Sequence, residues 1–332
     1  MRIAMILATI GTTLSLMSPS LSASPSQPPS PSTGRADQQR ISVQVEGAGR
    51  DVILIPGLAS SREVWADLAT RLRENHRLHL VQLAGFAGLP AVSDSEGKVV
   101  APVAEAIADY IRTQHIEAPV IIGHSLGGEV ALMLGARHPD QVGRLMIVDA
   151  LPFYTLLIDP SATSETATVQ AAAMRSSLLA ASPEQNEAMQ SASIARLAKT
   201  EAVRPGLISA GISSDRKTVA DAVYELMVTD LRPELGRISA PVEVVYAYDA
   251  FYGVPASSVD ATFRRAYAST PDIHFTRIDD SFHFVMLDQR ERFASAVVTF
   301  LKPGAERGRA MSRWRACGEQ PGAYIPAPIR SP

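Results

Sequence analysis

The chain has 332 residues, 46% hydrophobic and 20% charged, with a formal net charge of −3. That composition is ample for a core, and the length suits one large domain or a domain with an insertion. The mild negative balance argues against nucleic acid as a partner, and the single cysteine, Cys317, excludes an internal disulfide.

Residues 1–23 carry a short positive start at Arg2, an apolar run from Ile3 to Met17, and small residues at Ser20, Ser22 and Ala23. This is the pattern of a cleaved signal peptide, so the mature chain is expected in the periplasm or the medium. Gly11, Thr12 and Thr13 interrupt the apolar run. It falls short of the ~20 residues that span a bilayer, and no stable membrane anchor is expected. Residues 24–40 are rich in Ser and Pro and read as a flexible linker, because they offer too little apolar surface to offset chain entropy.

From Ile41 the chain alternates strands and helices. Ile41 to Val45 has the period of an edge strand, and Asp51 to Ile55 is an apolar run closed by Pro56-Gly57, as a buried strand would be. Arg62 to Glu74 carries Val64, Trp65, Leu68 and Leu72 at helical spacing, with Trp65 read as helix packing. A strand over Arg77 to Leu83 and a helix over Val103 to His115 follow. Later strands are expected over Arg144 to Asp149, Val242 to Ala247 and Ile273 to Ile278. Residues 151–237 break the alternation: they show no strand, but Ala, Met, Leu and Glu recur at helical spacing, as over Val169 to Leu179 and Val219 to Val228. The expected architecture is an α/β fold, a mostly parallel sheet with helices on both faces. Its core covers 41–150 and 238–302, with an inserted helical cap at 151–237. Residues 303–332 lack periodicity and read as a disordered tail.

The segment Val120 to Val130 organises the rest. An apolar run reaches Gly123-His124-Ser125-Leu126-Gly127-Gly128, and a helical pattern begins there. A serine on a tight strand-to-helix turn leaves no room for neighbouring side chains, hence glycine at 123 and 127. Ser125 is thereby presented to solvent. The Leu126 N–H points the same way, at a helix N-terminus that favours developing negative charge.

These residues, with Ile55-Pro56-Gly57-Leu58 and the spacing of Asp249 and His283 after them, resemble the α/β-hydrolase superfamily over roughly residues 41–301. The resemblance implies a nucleophile, an acid and a histidine in that chain order. A serine hydroxyl needs a base, and the base needs a carboxylate to hold its tautomer. Three histidines follow Ser125. His138 reads as a helix end stopped by Pro139, and His274 lies in a strand. His283 sits in a loop between the last strand and the last helix, where the resemblance puts the base. Asp249, at the end of the Val242 strand, is the favoured acid; Asp149, at the end of the strand before the cap, is the alternative. The Leu58 and Leu126 amides are the expected oxyanion donors.

The expected reaction is cleavage of a carboxylic ester through an acyl-enzyme, on a small and partly apolar substrate. Amide, lactone, thioester or carbon-carbon cleavage could use the same residues, and a noncatalytic ligand-binding protein on the same fold is the rival of another class. Serine where some relatives carry aspartate counts against epoxide hydrolysis and dehalogenation. No cofactor fingerprint or metal cluster is expected. Phe153, Tyr154, Leu156, Leu157 and Met174 are candidates to line an apolar pocket.

Overall fold

The computed structural model describes residues 39–93 and 95–302. The expected signal peptide, the linker up to Gln38 and the tail from Pro303 lie outside the described residues. Seven strands form one sheet: β1 (Ile41–Gly47), β2 (Arg50–Ile55), β3 (His76–Leu83), β4 (Val120–His124), β5 (Arg144–Val148), β6 (Val242–Tyr248) and β7 (Ile273–Asp279). Their spatial order is β1-β3-β2-β4-β5-β6-β7. Only β1 is antiparallel to its neighbour, and it occupies the edge.

The period of two along each strand sorts the apolar side chains to two faces. Ile53, Ile55, Ile121, Leu145 and Ile147 face one core, and Val52, Leu54, Ile122, Met146 and Val148 face the other. Both sets are needed because the central strands are covered on both sides, which is why they read as unbroken apolar runs. Each such side chain contributes about 1.5–3 kcal/mol on full burial.

Helix α1 (Ala66–Leu72) packs on the second face, preceded by a 3-10 turn at Arg62–Trp65, so the single helix expected over Arg62 to Glu74 is two pieces. Trp65 is fully buried and stacks on Phe293, as packing would have it. Helices α2 (Val100–Thr113) and α3 (Leu126–Arg137) cover the first face. Residues 126–136 of α3 are buried all round, so α3 has no polar stripe and its small residues allow close approach.

Between β5 and β6 come four helices and no strand: α4 (Ser164–Ala180), α5 (Pro183–Leu197), α6 (Arg204–Ile212) and α7 (Arg216–Val228). Their starts are written locally. Thr163 and Thr166, then Ser182 and Gln185, form capping boxes at α4 and α5, with Pro183 opening α5. The insertion is tied to the sheet layer by Glu225 of α7, whose carboxylate accepts the Val99, Val100 and Ala101 amides at 2.7–2.8 Å, at the start of α2. The described residues end with α8 (Ala256–Ala266), the short α9 (Val285–Asp288) and α10 (Arg290–Leu301), β7 lying between α8 and α9. Among the described residues, no helix is long and apolar enough to cross a membrane.

Candidate active site

The carboxyl ends of β2, β4, β5, β6 and β7 open on a cavity of about 270 Å3, roofed by the inserted helices. Parallel strands gather their following loops at one edge, which is how residues far apart in sequence meet. β4 delivers Ser125 there. Its backbone sits at φ 54°, ψ −120°, a conformation rare for a residue with a side chain, and its amide donates to Val148 O at 2.9 Å. Gly127 makes the turn possible, because a Cβ there would collide with the Ile55 and Pro56 carbonyls. Equally, a Cβ on Gly57 would stand 3.1 Å from the Ser125 Cβ, so the Pro56-Gly57-Leu58 loop lies directly against the serine. Leu58 lines the cavity, and the Leu126 amide opens α3, outside the helix's own hydrogen-bond ladder.

His283 comes from the loop after β7 and reaches the same cavity. Its Nδ1 lies 2.7 Å from Asp149 Oδ2. Asp149 follows β5 at φ 48°, and its other oxygen accepts the Ala247 amide at 2.9 Å. Both oxygens are therefore engaged: the Ala247 amide fixes the carboxylate, and the carboxylate fixes the ring. With Nδ1 engaged, the other ring nitrogen is left for the cavity. The Ser125 hydroxyl and His283 share the cavity without a direct hydrogen bond; such bonds often close only when substrate arrives.

Asp249 does not reach His283. It stands at the cavity wall, but Oδ2 takes the Lys199 ammonium at 2.6 Å, and Oδ1 caps its own turn by accepting the Phe251 amide at 2.8 Å. Burial opposes its ionisation, yet Lys199 and that amide outweigh burial and hold its pKa below the ordinary value. The expectation that Asp249 orients the histidine is corrected: β5, next to β4 in the sheet, supplies the carboxylate, whereas Asp249 is consumed by the insertion's Lys199. Of the apolar candidates, Tyr154 and Leu157 line the cavity; Phe153 and Leu156 are in the core, and Met174 packs against it. His138 binds Glu105 at 3.0 Å, and His274 is exposed on β7.

Besides Lys199, two residues that hold the His283 loop escaped the sequence reading. His124 is buried, and its Nε2 lies 3.0 Å from the His283 carbonyl, with the two rings 4.5 Å apart. Burial, then the neighbouring His283, press its pKa well below the ordinary imidazole value, against the pull of that hydrogen bond. It is a neutral donor that fixes the His283 backbone. Asp288 accepts three backbone amides, from Phe282 at 2.9 Å, Lys199 at 3.0 Å and Thr200 at 2.8 Å. One carboxylate thus joins the His283 loop to the inserted helices. An acidic residue five positions after the histidine, closing a helix of one turn, was the available signal.

A mostly parallel sheet, a strained serine between a strand and a helix, and a histidine paired to a carboxylate at the next strand's end define the α/β-hydrolase class. Residues 52–296 match the alpha/beta hydrolase family, and the chain belongs to it. It is 28% identical over 262 residues to a pimeloyl-[acyl-carrier protein] methyl ester esterase of Aromatoleum aromaticum, covering 73% of this chain and 94% of that protein. Similar solved structures include an esterase from Exiguobacterium antarcticum (TM-score 0.66, 19% identity, 80% of this chain and 98% of that one). Another is the enol-lactonase of Burkholderia xenovorans LB400 (TM-score 0.64, 18% identity, 79% and 96%). At those identities the two structures speak to the fold alone. Among the described residues no group of His, Cys, Asp or Glu could hold a metal ion.

Proposed function

We propose that this alpha/beta hydrolase is a serine carboxylic ester hydrolase that works through an acyl-enzyme. The observation that carries the reading is the 2.7 Å pairing of His283 Nδ1 with Asp149, on a ring that shares a cavity with Ser125. Asp149 holds the proton on Nδ1, so Nε2 takes the Ser125 proton as Oγ attacks the ester carbonyl. The tetrahedral oxyanion is held by the Leu58 and Leu126 amides. The proton on Nε2 passes to the leaving alcohol. Water, deprotonated by the same nitrogen, then attacks the acyl-serine, and that proton passes to Ser125 Oγ as the C–Oγ bond breaks and the acid leaves.

The lining supports an uncharged, partly apolar ester: Leu178, Ile194, Leu207, Val223 and Leu226 come from the inserted helices, and among the described residues no lysine or arginine lines the cavity. The relatives' esterase names point in the same direction. We also propose export to the periplasm or medium, on the strength of the signal-peptide pattern at residues 1–23. Hydrolysis of nitrophenyl esters, with fluorophosphonate labelling, tests the chemistry. Turnover and labelling should both vanish in Ser125→Ala; a wild-type serine that neither labels nor turns over any ester would sink the reading.

A further inference from the structure

Six uncharged polar side chains besides Ser125 line the mostly apolar cavity; Ser60, Tyr248 and Tyr252 come from the sheet's strand ends and loops, and the other three belong to the insertion. Gln190 and Ser193 lie three residues apart on α5, on one helical face with Ile194 and Leu197, and all four line the cavity. The third is Tyr154, from the loop after β5. The carboxamide and both hydroxyls have no hydrogen-bond partner among the described residues. The Gln190 carboxamide lies against Gly211 of α6, where a Cβ would come within 2.6 Å of its Oε1, so the amide is held by contact. Polar groups facing an apolar cavity without a protein partner call for one from a ligand or from water.

The charges in the cavity select which ligand. Its carboxylates are Asp149 and Asp249, and the Lys199 ammonium beside it is taken by Asp249 at 2.6 Å. An anionic group entering here would meet two carboxylates and no free cation among the lining residues, whereas a carbonyl, amide or hydroxyl would find a donor and an acceptor in Gln190 and hydroxyls in Ser193 and Tyr154.

Distance along the helix gives the spacing. α5 ends at Leu197, whose carbonyl accepts the Phe284 amide next to His283. Ser193 and Gln190 lie about 6 Å and about 10 Å back along the axis. With the reacting carbonyl taken at the His283 end of α5, that span corresponds to a spacer of roughly five to eight bonds.

Building on the ester-hydrolase reading, we infer that Gln190 and Ser193, with Tyr154, recognise a second, uncharged polar group of the substrate. The substrate class is an ester with an apolar spacer and a carbonyl, amide or hydroxyl at its far end. Gln190 and Ser193 are specificity residues, remote from the reacting atoms.

The test compares three nitrophenyl esters matched in length: octanoate, 7-oxooctanoate and the half-ester of octanedioic acid, which ends in a carboxylate. Wild type should favour 7-oxooctanoate over octanoate by about tenfold in kcat/KM, the size of one net hydrogen bond at the upper end. The carboxylate-ended ester should be the poorest. Gln190→Met should remove the preference, with octanoate changed by less than about twofold; Ser193→Ala should reduce it in part. Equal rates for the keto and plain esters, a preference for the carboxylate, or a Gln190→Met loss equal on all three would overturn the inference with ester hydrolysis intact. No turnover of any ester together with no labelling of Ser125 would instead overturn the hydrolase reading and this inference with it.

Discussion

Replacing Asp149 by Asn separates the two strand-end carboxylates. In the native site Oδ1 accepts the Ala247 amide and Oδ2 faces His283 Nδ1. An asparagine keeps its oxygen on Ala247, which turns its NH2 toward the ring. That group can only donate, so Nδ1 must become the acceptor and the ring proton moves to Nε2, the nitrogen that should receive the Ser125 proton. A wrong tautomer of this kind costs about 10⁴ in kcat in serine hydrolases with the same three groups, or about 5 kcal/mol of transition-state stabilisation. Asp249→Asn removes only the pair with Lys199, whose side chain is 45% exposed. Such a pair is worth about 0–1 kcal/mol, and the asparagine oxygen still caps the turn at Phe251. Steady-state hydrolysis of a nitrophenyl ester should therefore fall about 10⁴-fold in the first variant and within about fivefold in the second, with thermal melts confirming that both fold. Equal losses, or the reverse order, would refute the assignment of Asp149.

Asp288→Ala leaves three backbone amides unpaired at the junction of the His283 loop and the insertion; unfolding in urea should report a loss of about 1–3 kcal/mol, and kcat should fall more than KM rises. A variant as stable and active as wild type would leave the junction without a role. Gly127→Ala drives a methyl group into the Ile55 and Pro56 carbonyls and pushes the Leu58 loop away from Leu126; kcat should drop by roughly 10²–10³, and an unchanged kcat would mean the loop yields freely. Glu129, buried in α3 with both oxygens unpaired, has its carboxyl pushed well above the ordinary 4.5 by burial and by Glu225, with Arg137 pulling the other way. The native state then keeps a proton that the unfolded chain gives up, so stability declines as pH rises from the unfolded value through the folded one. Glu129→Gln carries no such proton and should flatten the decline in denaturant midpoint with pH; an identical slope in both proteins would refute it.

The strand faces, the turn at Ser125 and the loop at His283 were legible because each rests on local pattern: apolar runs, glycine where backbones touch, and a histidine between a strand and a helix. The acid was not. β5 and β6 each end in an aspartate, and no periodicity says which one faces the ring across the sheet edge. Asp249 did carry a local sign in Asp249-Ala250-Phe251-Tyr252-Gly253, a side-chain-capped turn closed by a left-handed glycine. The sign for Asp149 is a positive φ, which sequence does not display. Asp288 and Lys199 act through contacts 88 to 89 and 50 residues apart in the chain, so their roles appear only once the insertion is seated.

Ser125 and Asp149 both hold backbone conformations that glycine would adopt without strain, at a cost of roughly 1–3 kcal/mol each. A screen for thermostable variants would therefore be drawn to glycine at Ser125, and at Asp149 as well wherever the relief outweighs the loss of the acceptor for the Ala247 amide. The same substitutions would delete the hydroxyl and the carboxylate on which the proposed chemistry depends. Engineering this protein for heat tolerance calls for selection on turnover at every round, since here relief of backbone strain comes from changes that the site cannot survive.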